Sequence, residues 1–355
     1  MSRYLQQRYQ AMEAYVPGEQ PRDMQYIKLN TNESPYPPAP AVLEAVQQQD
    51  IADLRLYSDP TGAALKEKLA GLYGVERENI FLANGSDDIL NFAFMAFAGE
   101  AGAVFPDITY GFYPVFAQLH GVGYEQIPLN GDFSLDPEQY CGKNRMVVIA
   151  NPNAPTGLSI SVAQIEKILR TNPDNVVLID EAYVDFGGES CYPLVRRYDN
   201  LLVVRTFSKS RCMAGGRLGY AIGPAGLIAD LEKLKYSTKP YNINRLTLKL
   251  GEATVDAEDY YRAMCRRIIR TREDAAQALR GLGFTVIDSD ANFLFARCES
   301  MDGGSLYRAL KARGILVRHF DKPRIRDFIR ITIGTEEQMA ALTAAIRQIM
   351  TGGSL

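Results

Sequence analysis

Three apolar runs in this chain each empty into residues that can do chemistry. Met146-Val147-Val148-Ile149-Ala150 leads into Asn151-Pro152-Asn153-Ala154-Pro155-Thr156-Gly157. Val176-Val177-Leu178-Ile179 ends in Asp180-Glu181-Ala182-Tyr183. Leu201-Leu202-Val203-Val204-Arg205 runs into Thr206-Phe207-Ser208-Lys209-Ser210-Arg211, with Arg217 eight residues after Lys209. In the first loop two prolines and a glycine fix the backbone and leave Asn153 placed to present its amide, unless the loop is simply a turn. In the second, a carboxylate at the end of a buried strand needs a cationic or hydrogen-bonding partner, because an unpaired charge in low dielectric is costly. Helix capping is the plainer role for Asp180. In the third, an amine sits between small hydroxyl residues; lysine is by default a solvated surface group, so its weight comes from the company it keeps. Asn84-Gly85-Ser86-Asp87 opens a helix after another apolar run, where free N–H groups and the helix dipole favour an anion. Neither the standard phosphate-loop pattern nor the dinucleotide glycine fingerprint is present.

The elements that must hold these residues follow from the pattern around them. Residues 1–28 are polar and short of structure signals and read as an N-terminal arm, and the proline-rich stretch 29–38 cannot be a helix interior. From about 40 to 240 short apolar runs alternate with amphipathic stretches, for example Ile80–Ala83 before a helix from Asp87 and Ala103–Phe105 before a helix from Tyr113. Strands that are continuously apolar are buried on both faces, which predicts an α/β fold: a large three-layer α/β/α domain with a mostly parallel sheet over 29–240. After Pro240, Ala257, Tyr261, Met264, Ile268, Ala275 and Leu279 mark a long helix that ends near Gly281 and Gly283. Strands at Phe284–Ile287, Phe293–Ala296, Ile315–Arg318 and Phe328–Ile333 then alternate with helices, giving a smaller α+β C-terminal domain over 241–355. Sites in open α/β sheets form beyond the carboxyl ends of the strands, which is where the three loops lie.

Composition narrows the function. The chain has 355 residues, 46% of them apolar, and its 39 basic and 42 acidic side chains leave a net charge of −3, which disfavours a nucleic-acid binder. Its 2 histidines, His120 and His319, are too far apart for a His-x-x-x-His site, so no metal is expected and several-imidazole mechanisms drop out. The 5 cysteines form no Cys-x-x-Cys pair, and no apolar run reaches the roughly 18–20 residues of a membrane helix, so the expectation is a cytoplasmic protein with reduced thiols and no membrane partner.

Asn153, Asp180, Tyr183, Lys209 and Arg217, each at a strand end and in this order, together resemble the aspartate-aminotransferase superfamily, the fold type I pyridoxal-phosphate enzymes. Within it the chain is similar, over nearly its whole length, to the histidinol-phosphate aminotransferase family. The likeness rests on Leu29-Asn30-Thr31-Asn32-Glu33-Ser34-Pro35-Tyr36, Tyr57-Ser58-Asp59-Pro60, Gly85-Ser86-Asp87, Thr109-Tyr110, the three loops above, and Arg330-Ile331-Thr332-Ile333-Gly334-Thr335. It departs from that family at Ser34, at Asp88 and at Ser210-Arg211-Cys212-Met213.

The resemblance implies roles. Lys209 would bind the aldehyde of pyridoxal 5'-phosphate covalently and, once displaced by the donor amine, move the proton of the substrate α-carbon as base and then acid. Asp180 would keep the pyridine nitrogen protonated, Tyr183 and Asn153 would hydrogen-bond the phenolic oxygen, and Tyr110 would stack on the ring. The cofactor phosphate would sit on the amides of Ser86 and Asp87, with Ser208 and Arg217 closing the cage and Tyr57 arriving from the second subunit of a homodimer. Arg330, with Arg318 twelve residues before it, would hold the substrate phosphate and the carboxylates of glutamate and 2-oxoglutarate. Tyr15 and Asn32 would complete the donor pocket, and His319 would be a packing or rim residue. The implied reaction converts L-histidinol phosphate and 2-oxoglutarate to imidazole acetol phosphate and L-glutamate, a step of histidine biosynthesis. Aromatic aminotransferases and a threonine-phosphate decarboxylase share nearly this whole pattern and are the alternatives. A cofactor-sensing regulatory domain is the non-enzymatic one, for which the roughly 30 residues ahead of the core are too few to hold a DNA-binding module.

Overall fold

The computed structural model describes residues 2–10, 12–13 and 15–352. In chain order its strands are β1 Ile27–Lys28, β2 Ile80–Ala83, β3 Ala103–Pro106, β4 Tyr124–Ile127, β5 Met146–Ala150, β6 Val177–Asp180, β7 Leu201–Thr206, β8 Gly219–Ile222, β9 Phe284–Ile287, β10 Phe293–Cys298, β11 Ile315–Leu316, β12 Arg318–His319 and β13 Phe328–Thr332. Seven of them form one sheet in the order β2-β8-β7-β6-β5-β3-β4, parallel except for β8, which runs against both neighbours.

The period-2 alternation of side chains explains the three layers. Val147, Ile149, Val177, Ile179, Leu201 and Val203 face a cluster that includes Ile165, Ile168 and Leu169 of the helix Val162–Thr171 and Leu65 and Leu69 of the helix Ala63–Tyr73. Their alternates Val148, Leu178, Leu202 and Val204 face Ile89, Leu90, Phe92 and Phe94 of the helix Ser86–Phe97. Every central strand is therefore buried on both sides, as its uninterrupted apolar run requires.

The second unit is an antiparallel sheet in the order β12-β13-β10-β9, packed against the helices Glu258–Gly281, Gly303–Ala312 and Glu336–Met350. Several details differ from the sequence reading. The run 315–318 is two strands: Ile315 and Leu316 pair in parallel with Ile27 and Lys28, whereas Arg318 and His319 pair with β13. The end of the arm is thus structured, because its Ile27 and Lys28 supply the partner that β11 lacks. The half-exposed edge strand β4 and the short, glycine-led β8 carry no long apolar run and escaped notice. Ile243 and Leu248, beyond residue 240, pack into the core of the large sheet. Among the described residues no helix is long and apolar enough to cross a membrane.

This topology gathers one edge of the large sheet. β5, β6 and β7 are parallel, so Ala150, Asp180 and Thr206 end together. The reversed β8 brings its first residue, Gly219, opposite Thr206 and Ala83. A Cβ on Gly219 would lie 2.5 Å from the Gly85 carbonyl carbon and the Ser86 nitrogen, and Gly85 itself has φ +82°, so both glycines are needed for the start of the Ser86 helix to reach this edge.

Candidate active site

A cavity of about 380 Å³ opens at that edge, walled by Ser86, Asp87, Tyr110, Asp180, Tyr183, Ser208, Lys209 and Arg217 and, from the segment after the arm, by Thr31 and Glu33. Asp180 is 5% exposed. It accepts hydrogen bonds from the Tyr113 hydroxyl (2.9 Å) and the Ala182 N–H (3.2 Å), and burial pushes its carboxyl up to about 6. No cationic side chain among the described residues pairs with it. The Lys209 ammonium donates to the Thr31 carbonyl (3.2 Å) and stands 5.7 Å from the centre of the Tyr183 ring. The Tyr183 hydroxyl accepts from Asn32 Nδ2 (3.0 Å). Asn32 is in turn pinned by Thr332 at its N–H (2.9 Å) and side-chain oxygen (3.0 Å), and its carbonyl accepts from Asn292 (3.0 Å).

At the opposite corner the helix Ser86–Phe97 begins with no side-chain cap, so its first amides are available to an anion. Asp87 in that turn accepts from the Tyr110 hydroxyl (2.7 Å) and pairs with Arg217 (3.1 Å). Burial, reinforced by Asp87, holds the Tyr110 phenol well above its ordinary value. Ser208 Oγ accepts from Thr206 Oγ1 (3.0 Å), which orients it on the same wall.

Two candidates stand apart. Asn153 is not on the wall: its Nδ2 donates to the Ile108 carbonyl (3.0 Å) and to Thr156 Oγ1 (3.0 Å), and its Oδ1 accepts from Thr109 (2.8 Å). Neighbouring threonines and a carbonyl hold this amide at the end of β5, beside the strand end that carries Asp180. Tyr57 is 79% exposed, stacked on Tyr241 with centroids 4.5 Å apart, and does not line the cavity.

Beyond Thr31 lies a second cationic feature. Arg318 and Arg330 are register partners on β12 and β13, and neither has a carboxylate partner among the described residues. Arg330 donates Nη2 to the Asn30 carbonyl (3.1 Å) and lies over Phe293 and Phe320, but its buried Nε has no partner, and burial lowers its pKa. Arg318 donates to the carbonyls of Pro17 (3.1 Å) and Val16 (3.0 Å). Tyr15 stacks on Phe112 at 4.1 Å, with Tyr110 6.4 Å away, and burial raises its phenol against the opposing pull of Arg318 and Arg330. His319 bonds the Arg326 carbonyl (2.7 Å) and packs on Tyr307. Sequence reasoning passed over Thr31 and Glu33 as wall residues. Glu33 is tied to Lys28 and Thr31 (2.8 Å each), and nothing in a proline-rich stretch signals which polar side chains turn inward.

Comparison with known proteins converges on one group. The family model "aminotransferase class I and II" matches residues 24–346. A histidinol-phosphate aminotransferase of Marinomonas sp. (strain MWYL1) is 50% identical over 353 residues, covering 98% of this chain and 100% of the relative. One from Brachyspira hyodysenteriae is 47% identical over 352 residues, covering 99% of each. The fold matches the crystal structure of histidinol-phosphate aminotransferase from Sinorhizobium meliloti in complex with pyridoxal-5'-phosphate, with a TM-score of 0.83 at 23% identity, covering 93% of this chain and 92% of that one.

Proposed function

This chain belongs to the class I and II aminotransferases, and from that premise we propose that it transfers the amino group of L-histidinol phosphate to 2-oxoglutarate, yielding imidazole acetol phosphate and L-glutamate. It is a pyridoxal-phosphate-dependent transaminase. The residues present fit that cofactor: a buried carboxylate without a cation, an amine across the cavity from it, and an uncapped helix start backed by a guanidinium. When bound, pyridoxal phosphate supplies a carbonyl that captures amines and a cationic ring that draws electrons from the donor α-carbon.

The protein's own part follows from the geometry. Asp180, already raised by burial, is stabilised as a carboxylate by a ring N–H⁺ and so keeps that nitrogen protonated. Lys209, anchored by a single carbonyl, carries the donor's α-proton as base and then acid. Tyr183, held by Asn32, and Asn153, held by Thr109, would hydrogen-bond the phenolic oxygen. Ser86 and Asp87 N–H groups, Ser208 and Arg217 would hold the phosphate, and Tyr110 would stack on the ring.

One observation carries the choice of donor. Arg318 and Arg330 are adjacent cations with no carboxylate partner and one buried unsatisfied N–H, a fork suited to a doubly charged phosphate and to the carboxylate of a keto acid. Tyr15, which lies within electrostatic reach of Arg318 and Arg330, and Asn32, bonded to Tyr183, complete the donor pocket in this reading. The exposed Tyr57, with Leu54 and Leu56 beside it 50% and 47% exposed, supports a homodimer in which Tyr57 reaches the partner's cavity. We assign the protein to the cytoplasm on its balanced charge and unpaired cysteines. We keep the division into arm 1–28, large domain 29–240 and small domain 241–355, with Ile243 and Leu248 packing back onto the large core.

The deciding experiment is a donor panel of histidinol phosphate, phenylalanine, tyrosine and threonine phosphate with 2-oxoglutarate. Histidinol phosphate should have the highest kcat/KM. Turnover of the aromatic donors alone would move the protein to the aromatic aminotransferases, and CO2 release from threonine phosphate to the decarboxylases.

A further inference from the structure

Behind the cavity wall lies a buried charge cluster that the reaction scheme does not use. Arg205, on β7, has 6% of its side chain exposed and bonds the Asp185 carboxylate through Nη2 and the Tyr73 hydroxyl through Nη1 (2.9 Å), with Glu181 3.9 Å from its Nε. Ser210 donates to the other oxygen of Asp185 (2.5 Å). Glu181 is closed off by the Ser190 hydroxyl (2.5 Å) and the Cys191 N–H (2.7 Å). None of Glu181, Asp185, Arg205 or Ser210 lines the cofactor cavity. Their places in the chain are the point. Glu181 follows Asp180, Ser210 follows Lys209, and Asp185 lies two residues after Tyr183. The Arg205 guanidinium therefore bonds Asp185 directly, reaches Ser210 through that carboxylate and lies within ion-pair distance of Glu181, three residues one or two positions from Tyr183, Lys209 and Asp180.

We propose that Arg205 is a positioning residue for the transaminase reaction, fixing through Asp185, Ser210 and Glu181 the spacing of Lys209, Tyr183 and Asp180. Stability alone does not explain the cluster, because well-packed apolar side chains in place of a buried ion group are often neutral or stabilising. A largely buried hydrogen-bonded network can, however, specify one geometry. Outer-shell partners of metal ligands cost about 10–100-fold in affinity or activity when broken, and an effect of that order is expected of a shell behind Lys209 and Tyr183. The inference rests on the cofactor site and not on the identity of the donor.

The test compares Arg205→Lys, which keeps the charge but loses the fork, with Ser210→Ala, which cuts only the link to the lysine loop and leaves the Arg205–Asp185 pair in place. Each is purified cofactor-free and then titrated with pyridoxal phosphate. For Ser210→Ala we expect kcat to fall about tenfold and the pyridoxal-phosphate Kd to rise several-fold, with donor KM within about twofold and the cofactor-free Tm within about 2 °C. Asp185→Asn, which also loses the ion pair to Arg205, should lower kcat more than Ser210→Ala, and adding Ser210→Ala to it should cost little more, because the Ser210–Asp185 link is already weakened. Arg205→Lys should lower kcat and raise the pyridoxal-phosphate Kd at least as much as Ser210→Ala, with a lower Tm as well, since it loses the fork to Asp185. Cofactor Kd and kcat within about twofold of wild type in both single variants would overturn the proposal. All assays use whichever donor the wild type prefers, so failure of the histidinol-phosphate reading shows in the wild type and this inference stands or falls separately.

Discussion

The wall around Lys209 and the wall around Arg330 are built on opposite plans. The first stands on strand ends of a sheet buried on both faces, and its polar groups have partners before any ligand arrives: Asp180 with Tyr113, Asp87 with Tyr110 and Arg217, Tyr183 with Asn32. The second stands on β12 and β13 and on the arm. There Arg330 keeps an unsatisfied Nε, Arg318 is capped by two arm carbonyls, and Tyr15 is 37% exposed. A preformed cofactor side does the chemistry, and an incomplete cationic side is finished by the anion it binds. Changes on the first should therefore appear in kcat, and changes on the second in KM.

The largest effect belongs to Lys209, the one lysine on the cavity wall. Lys209→Ala should lower kcat by at least about 10⁴-fold, since both covalent attachment and proton transfer fall to that amine. Residual turnover above about 1% of wild type in a glutamate-release assay would place the base elsewhere and break the contrast.

Asp180→Asn comes next, with a fall in kcat of about 10²–10³-fold from loss of one buried charge-assisted contact. It also has a signature in the cofactor-free protein. Burial raises the Asp180 carboxyl from 3.8 to about 6. A carboxyl raised on folding holds its proton more tightly in the folded chain, so its stabilising contribution is whole below about pH 4 and is lost as pH climbs through about 6. Asparagine cannot ionise. Cofactor-free Asp180→Asn should therefore gain on wild type in melting experiments between about pH 4 and pH 7, by up to about 2–3 kcal/mol, and lose that advantage once pyridoxal phosphate is bound. A gap that does not change with pH would remove burial as the cause.

On the donor side, Arg330→Ala should reduce kcat/KM by about 10²-fold for both the phosphate donor and 2-oxoglutarate, mainly through KM, because one fork is asked to serve both anions. A change confined to one substrate would divide the two roles.

The same contrast explains what the amino-acid sequence reveals. The large sheet is legible because parallel strands buried on both faces must be continuously apolar, and Asp180 and Lys209 are legible because they close such runs. Arg318 and Arg330 can be named only by resemblance, since two arginines twelve residues apart look like any surface pair until the edge strand β12 is set beside β13. Asn153 shows how loop and fold combine: a rigid turn fixes where its amide sits, and Thr109, a distant residue, helps to orient it. Arg205 reads as the last residue of a strand, and only the fold brings Asp185 to it.

The smallest expected effect is the most informative about the donor side. Arg318→Ala should raise KM by only about 3–10-fold, because its guanidinium is half-exposed and such contacts are screened. Its donors are now on the carbonyls of Val16 and Pro17, so the residue either exchanges those bonds for a substrate phosphate or keeps them and holds Tyr15 in place. The two uses separate by substrate. If Arg318 meets the phosphate, the variant raises KM for the phosphate donor and leaves that for 2-oxoglutarate unchanged, because Arg330 still takes the carboxylate. If Arg318 only fastens the arm, both Michaelis constants rise together and Tyr15→Ala reproduces the change. In that second case the arm itself finishes the donor side, and the contrast sharpens to a fixed cofactor wall facing a wall that Tyr15, Val16 and Pro17 complete.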